Sequence, residues 1–191
     1  GRHGFNKTEL EKRGIQHTFG APVTGAISVC DGIAVSFGDG NVRFFRPGHA
    51  FTTIKAHKGV VLCLAADKDH IITGGDDGRF SQISTNGKVK EIANFNSKWV
   101  DCVAAKNGMR ACSSGSTVHV WSKDHLKSTI LKHSSTVGGL AFDNKGKRLA
   151  VAHYGGTTIW EKGDRRWKST KLVWKGFHGA VTFSPDGKYI V

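Results

Sequence analysis

Ten histidines and four cysteines are the residues of this 191-residue chain best suited to chemistry, and their spacing argues against most of it. Cys30, Cys63, Cys102 and Cys112 form no C-x-x-C pair, so reduced, buried thiols are expected rather than a zinc site or a secreted disulfide frame. Cys63 and Cys102 lie 39 residues apart, each two positions beyond a valine, Val61 or Val100. His57 and His133 likewise precede comparable apolar segments. Recurrence at a fixed interval points to a structural duty: small-residue slots for the cysteines, as for Gly25 and Gly139, and hydrogen-bonded positions for the histidines. A catalytic thiol would need a neighbouring base and an electropositive pocket. Nucleophile elbow, phosphate-binding loop, zinc-hydrolase helix and dinucleotide fingerprint are all missing from the sequence. The Gly-rich stretches 38–40, 74–78 and 155–156 precede no helix and read as turns. No cofactor, no metal and no catalytic residue is predicted.

The interval organises the whole chain. Phe45, Ile83, Trp121 and Trp160 recur at steps of 38, 38 and 39 residues, and Val23, Val61, Val100, Val137 and His178 at steps of 38, 39, 37 and 41. Inside each unit lie short apolar runs, such as 61–66, 71–73 and 118–121, bounded by Gly, Asp and Asn, which is the texture of strands. Asp39-Gly40 and Asp77-Gly78 read as tight hairpin turns, and 144–146 and 186–187 as the turn after the first strand of a unit. Four short strands per period of about forty residues make a propeller blade. The fold class is therefore all-β, a β-propeller of four-stranded antiparallel blades.

The segments VTFSPDGKYIV (181–191), LAFDNKGKRLAVAHYGGTTIW (140–160) and ITGGDDGRFSQI (72–83) resemble WD repeats over roughly residues 21–191. The Trp-Asp dipeptide of that family does not occur; Trp121 and Trp160 keep its Trp, and Ala56-His57 and Lys132-His133 stand for its Gly-His pair. Asp39 and Asp77 match the family's turn aspartate, where the later units have Gly115 and Tyr154. The resemblance implies a blade network of His57, Asp77, Asp39, His133, Trp121 and Trp160, with His57 and Asp77 matching both ends. Blades are expected at 21–55, 56–94, 95–131 and 132–172. A partial fifth over 173–191, opening about Leu172, would make the chain part of a larger, seven-bladed ring. Residues 1–20 fall outside the repeat as a tail or short helix; Thr8 and Glu11 in 6–13 fit a capping box.

In WD repeats the loop leading into the first strand and the turn between the second and third strands form the top face. By position this gives Val60, Trp99, Thr136 and Phe177 from the loops and Asp76, His153 and Tyr154 from the turns as candidate partner-binding residues. Aromatic residues there suit protein recognition. The expected function is a non-catalytic scaffold binding a protein or peptide partner. The net charge of +13 raises a second reading, nucleic-acid or other polyanion binding through Lys162, Arg165, Arg166, Lys168, Lys171 and Lys175, with Trp167 and Trp174 interleaved. An enzyme built round the propeller channel is a third. No run of eighteen apolar residues occurs and the first thirty residues are too polar for an export signal, so no membrane association and a cytoplasmic setting are expected.

Overall fold

Successive residues of a strand point to opposite faces, and here both faces of most strands are apolar, so each sheet needs a neighbour on either side. The computed structural model, which describes residues 14–123 and 126–191, supplies them. The helix expected at 6–13 lies outside the described residues.

The first sheet holds β1 (Val23–Val29), β2 (Gly32–Phe37), β3 (Asn41–Phe45) and β4 (Thr52–Lys55) in that order. The second holds β5 (Val61–Asp67), β6 (His70–Gly75), β7 (Arg79–Ser84) and β8 (Val89–Asn94). The third holds β9 (Cys102–Lys106), β10 (Met109–Ser114), β11 (Thr117–Trp121) and β12 (Thr129–Lys132). All neighbours pair antiparallel. The described residues contain no helix.

The fourth sheet is built from β13 (Val137–Phe142), β14 (Arg148–Lys162) and β15 (Trp167–Phe177). At fifteen residues β14 is more than twice the length of β2, β6 and β10, at six each, because it folds back on itself. Gly155 and Gly156 take φ of +84° and +148° at the bend, and Lys162 N–H donates to the Lys147 carbonyl at 2.9 Å, closing the two arms together. The arms do the work of two strands, giving four segments in all. β15 stays paired with β14 as far as Phe177, opposite Tyr154. Leu172 therefore sits inside an outer strand, and the next unit opens beyond Phe177 rather than at Leu172. Its beginning is a Phe183–Ile190 bridge closed by Thr182 and Val191, which exchange backbone hydrogen bonds.

The cores lie between sheets. Val42, Phe44 and Ile54 of the first sheet meet Val61, Ile71 and Ile83 of the second. Ile72, one residue on from Ile71, faces the other way and packs with Phe80 against Val103, Cys112 and Trp121 of the third sheet. Val118, Val120 and Leu131 then meet Val137, Leu149 and Val151 of the fourth. Each fully buried aliphatic side chain contributes about 1.5–3 kcal/mol.

First strands of neighbouring sheets run close, which sets residue size. A Cβ on Gly139 would stand 3.0 Å from Ala180 Cα, and the thiols of Cys63 and Cys102 reach the Val100 and Val137 carbonyls at 3.3 and 3.8 Å. The same strands share an irregular register after Val23, Val61 and Val137, a bulge repeated at the blade period. Cys30 departs from the expectation of buried thiols: it is exposed, because it occupies the tight turn after β1 with φ of +51°.

Turn glycines meet a second constraint. The Gly40 carbonyl accepts from both Ala56 and His57 N–H, so a Cβ at Gly40 would collide with the His57 carbonyl oxygen. Gly48 shares a positive φ, +73°, but has open space around it. Gly40→Ala is expected to cost well over 2 kcal/mol and Gly48→Ala only about 1 kcal/mol, read from urea unfolding midpoints. Equal losses would show that φ alone, not the close approach, requires Gly40.

Candidate functional site

The turns between second and third strands and the loops leading into first strands are joined by backbone hydrogen bonds along one edge. Asp76 N–H donates to the Val60 carbonyl within the second sheet. Between sheets, Val100 N–H donates to Gly75, Val137 N–H to Gly115 and His178 N–H to His153. The ladder brings Val60, Asp76, Trp99, Thr136, His153 and Tyr154, and the backbone of Phe177, to the same rim. Their exposure differs. Trp99 is 57% and Tyr154 64% exposed, Thr136 is open to solvent, Val60 and Asp76 are half-buried, and His153 is enclosed. Trp99 thus stands out from the surface rather than filling a gap between sheets. It borders a shallow cavity of about 390 Å³ with Asp101 and the turn 114–117. Burial raises the Asp101 pKa, with the Gly115 backbone N–H working against it.

His153 is held from within. Its Nδ1 reaches the Tyr154 carbonyl at 2.9 Å and its Nε2 the Thr158 hydroxyl at 2.7 Å, across the bend of β14. It shapes the rim and offers no surface to a partner.

Below the rim lies the His57 network. Buried His57 donates from Nδ1 to Asp77 Oδ1 at 2.9 Å, and its Nε2 pairs with the Thr73 hydroxyl at 2.8 Å. Asp77 also accepts from Lys58 and Arg79 N–H. Burial alone would raise the Asp77 pKa; the Lys58 N–H, His57 and Arg79 N–H bonds overcome it and hold the carboxyl below its ordinary value. The other units keep parts of this arrangement. Asp39 accepts from both nitrogens of Asn41 within its own turn, and Trp121 packs on Phe80 at 5.3 Å between ring centroids. In the fourth unit Trp160 Nε1–H donates to His133 Nε2 at 3.0 Å, while His133 Nδ1 donates to the Ser116 carbonyl.

Residues 48–82 match the family model described as WD domain, G-beta repeat. The chain carries a WD repeat within a β-propeller. That segment runs from just before β4 through most of β7 and contains His57, Thr73 and Asp77, the complete network, which the other units lack. A search of curated proteins gave no match. Among solved structures, a chain of a crystal structure of a mitotic checkpoint complex superposes with a TM-score of 0.74 at 17% identity, covering 88% of this chain and 59% of that one. The chain thus spans less than two thirds of that neighbour. With 937 chains of solved structures matching, the likeness establishes the propeller and leaves partners open. WD-repeat propellers are commonly interaction scaffolds and generally not enzymes.

The basic residues of 162–175 do not form one patch. Lys162, Arg165 and Arg166 surround the turn between β14 and β15, whereas Lys168 and Lys171, three positions apart in β15, point to opposite faces. Lys175 is exposed farther along β15.

Links outside the expected blade network lie at the opposite edge. Asp67 accepts from Asn107 N–H, Gly108 N–H and Arg110 Nη1, the last at 2.7 Å, and Arg110 Nε donates to Gln82, tying the second sheet to the third. Asp143, 76 residues on, accepts from Arg148 at 3.2 Å, and Arg148 reaches the Gly187 carbonyl of the following unit. The aspartates recur at twice the period and the arginines, Arg110 and Arg148, at 38 residues, so the signal was present.

Two outcomes test the networks. Asp77→Ala strips His57 and two backbone N–H groups of their acceptor and is expected to cost about 2–3 kcal/mol in urea unfolding; a loss within about 0.5 kcal/mol would mean the network is dispensable. His133 must stay neutral to accept from Trp160, and burial lowers its pKa below 6.5, with the Ser116 bond opposing and His153 adding to the fall. The unfolded chain takes up this proton near pH 6.5 and the folded chain does not, so stability present above that pH declines as pH falls below it. Melting temperature should drop between about pH 7.5 and about pH 5.5, and His133→Gln should flatten the drop; an unchanged slope would sink the assignment.

Proposed function

We propose that this protein is a non-catalytic scaffold that recognises a protein or peptide partner through the rim carrying Trp99 and Tyr154. The observation that supports it is placement of two large exposed aromatic side chains, one on the loop before β9 and one at the bend of β14, along an edge that backbone bonds between sheets hold in fixed relation. A pre-ordered aromatic residue buries much area at little entropic cost, which makes it an effective interface anchor. Val60, Asp76 and Thr136 supply the neutral and polar surround of the same rim.

The second reading, polyanion binding through the 162–175 segment, draws on the net charge of +13. Its six cations diverge over a turn and two faces of β15, which favours the aromatic rim as the principal site.

The test is capture of binding proteins by the wild-type chain, by Trp99→Ala with Tyr154→Ala, and by Lys168→Gln with Lys171→Gln, at low and moderate salt. A protein retained at moderate salt, lost with the aromatic pair and kept with the lysine pair is the expected result. Nucleic acid lost with rising salt and with the lysine pair, and indifferent to the aromatic pair, would replace the scaffold reading with the second.

A further inference from the structure

A groove runs between the third and fourth sheets, from the turn joining β14 and β15 up to His153. One wall is β12, outermost in its sheet and, among the described residues, paired on one side only, with β11. The other wall is the face of the fourth sheet that presents Trp160, Trp167, Ser169 and Lys171. Two adjoining cavities of about 440 and 230 Å³ share Trp160 and the β12 wall.

The lining is graded along its length. In the middle are the half-buried indoles of Trp160 and Trp167 against buried Leu131 of β12, whose neighbour Ile130, 55% exposed, stands on the opposite face of that strand. At one end stand exposed Lys162, Arg165 and Arg166, and at the other exposed Lys132 and Lys171. Asp164 is the acid among these lining residues. An exposed Ile on an open strand edge is costly unless something covers it, and an edge beside cations at both ends selects what can.

We propose that this groove docks an extended acidic peptide segment with apolar side chains at its centre, which adds as a strand to the free edge of β12. Three features favour a peptide over a nucleic acid. Unpaired N–H and C=O groups on β12 call for a partner with the same alternating ladder, which a phosphodiester backbone lacks. The middle of the groove is aliphatic as well as aromatic, with Leu131 of β12 beside the two indoles. The cations lie at the two ends, where acidic residues flanking an apolar centre would meet them, and not in a continuous track. This site neither uses nor requires Trp99 or Tyr154.

The test is fluorescence anisotropy of the full chain with a short labelled peptide bearing Leu-Phe at its centre and Glu and Asp on either side. Saturable binding is expected, weakened about tenfold or more by Arg165→Glu with Arg166→Glu and by Ile130→Asp, and little changed by Lys88→Glu with Lys90→Glu, which alters net charge equally. The same peptide N-methylated on its central backbone should also bind about tenfold more weakly, a readout that leaves the protein untouched should Ile130→Asp disturb folding. Absence of binding, equal weakening by the Lys88 and Lys90 changes, or indifference to N-methylation would overturn the proposal. So would oligothymidylate binding more tightly than the peptide at the same salt, which would assign the groove to nucleic acid instead.

Discussion

The close approach of neighbouring first strands is the constraint on which the rest of this structure depends. Sheets whose two faces are both apolar must stack, and where their first strands meet there is space for a hydrogen or a thiol beyond Cα and little more. Cys63, Cys102 and Gly139 answer that demand. Once those strands are set, their ends are set too. The turn of one blade then lies within hydrogen-bonding reach of the next, so Val100 finds Gly75 and Val137 finds Gly115. Hydrophobic stacking supplies the energy and the strand spacing decides the address of every loop.

This dependence explains what could be read from sequence. The period survives because turn glycines and inner small residues answer to geometry that repeats, whichever side chains surround them. His57 and Asp77 were legible as a pair because both ends of the bond remain and nothing replaced either. Leu172 misled: an apolar residue after a basic stretch looks like the start of a strand, but β15 is simply longer than the other outer strands, held by the extended arm of β14. Strand length depends on a partner far along the chain, and no local pattern reports it. The same gap hid the divergence of Lys168 from Lys171, which adjacency in sequence presented as a cluster.

The arrangement of charge and bonding also narrows what the residues can do. The histidines of the blade networks are engaged on both ring nitrogens, His57 by Asp77 and Thr73, His133 by Ser116 and Trp160, His153 by Tyr154 and Thr158. Burial pushes the Cys63, Cys102 and Cys112 thiols up, which favours the neutral form over the reactive thiolate. Even Arg43, whose Nη1 is the buried side-chain nitrogen without a hydrogen-bond partner among the described residues, is stacked with its guanidinium 4.2 and 4.4 Å from the Phe19 and Phe37 ring centroids.

Groups consumed in this way stabilise the scaffold and are withdrawn from chemistry with outside molecules. Two of the surfaces that the fold leaves free differ in what they offer. The rim presents side chains, Trp99 on a loop and Tyr154 at the bend of β14, beside the backbone bonds that join the sheets. The outer strand β12 presents backbone groups that have no strand partner on its outer side among the described residues. A partner at the rim would therefore be chosen by the shape and chemistry of side chains, whereas a partner at β12 would be chosen first by having a strand to offer and then by its charge.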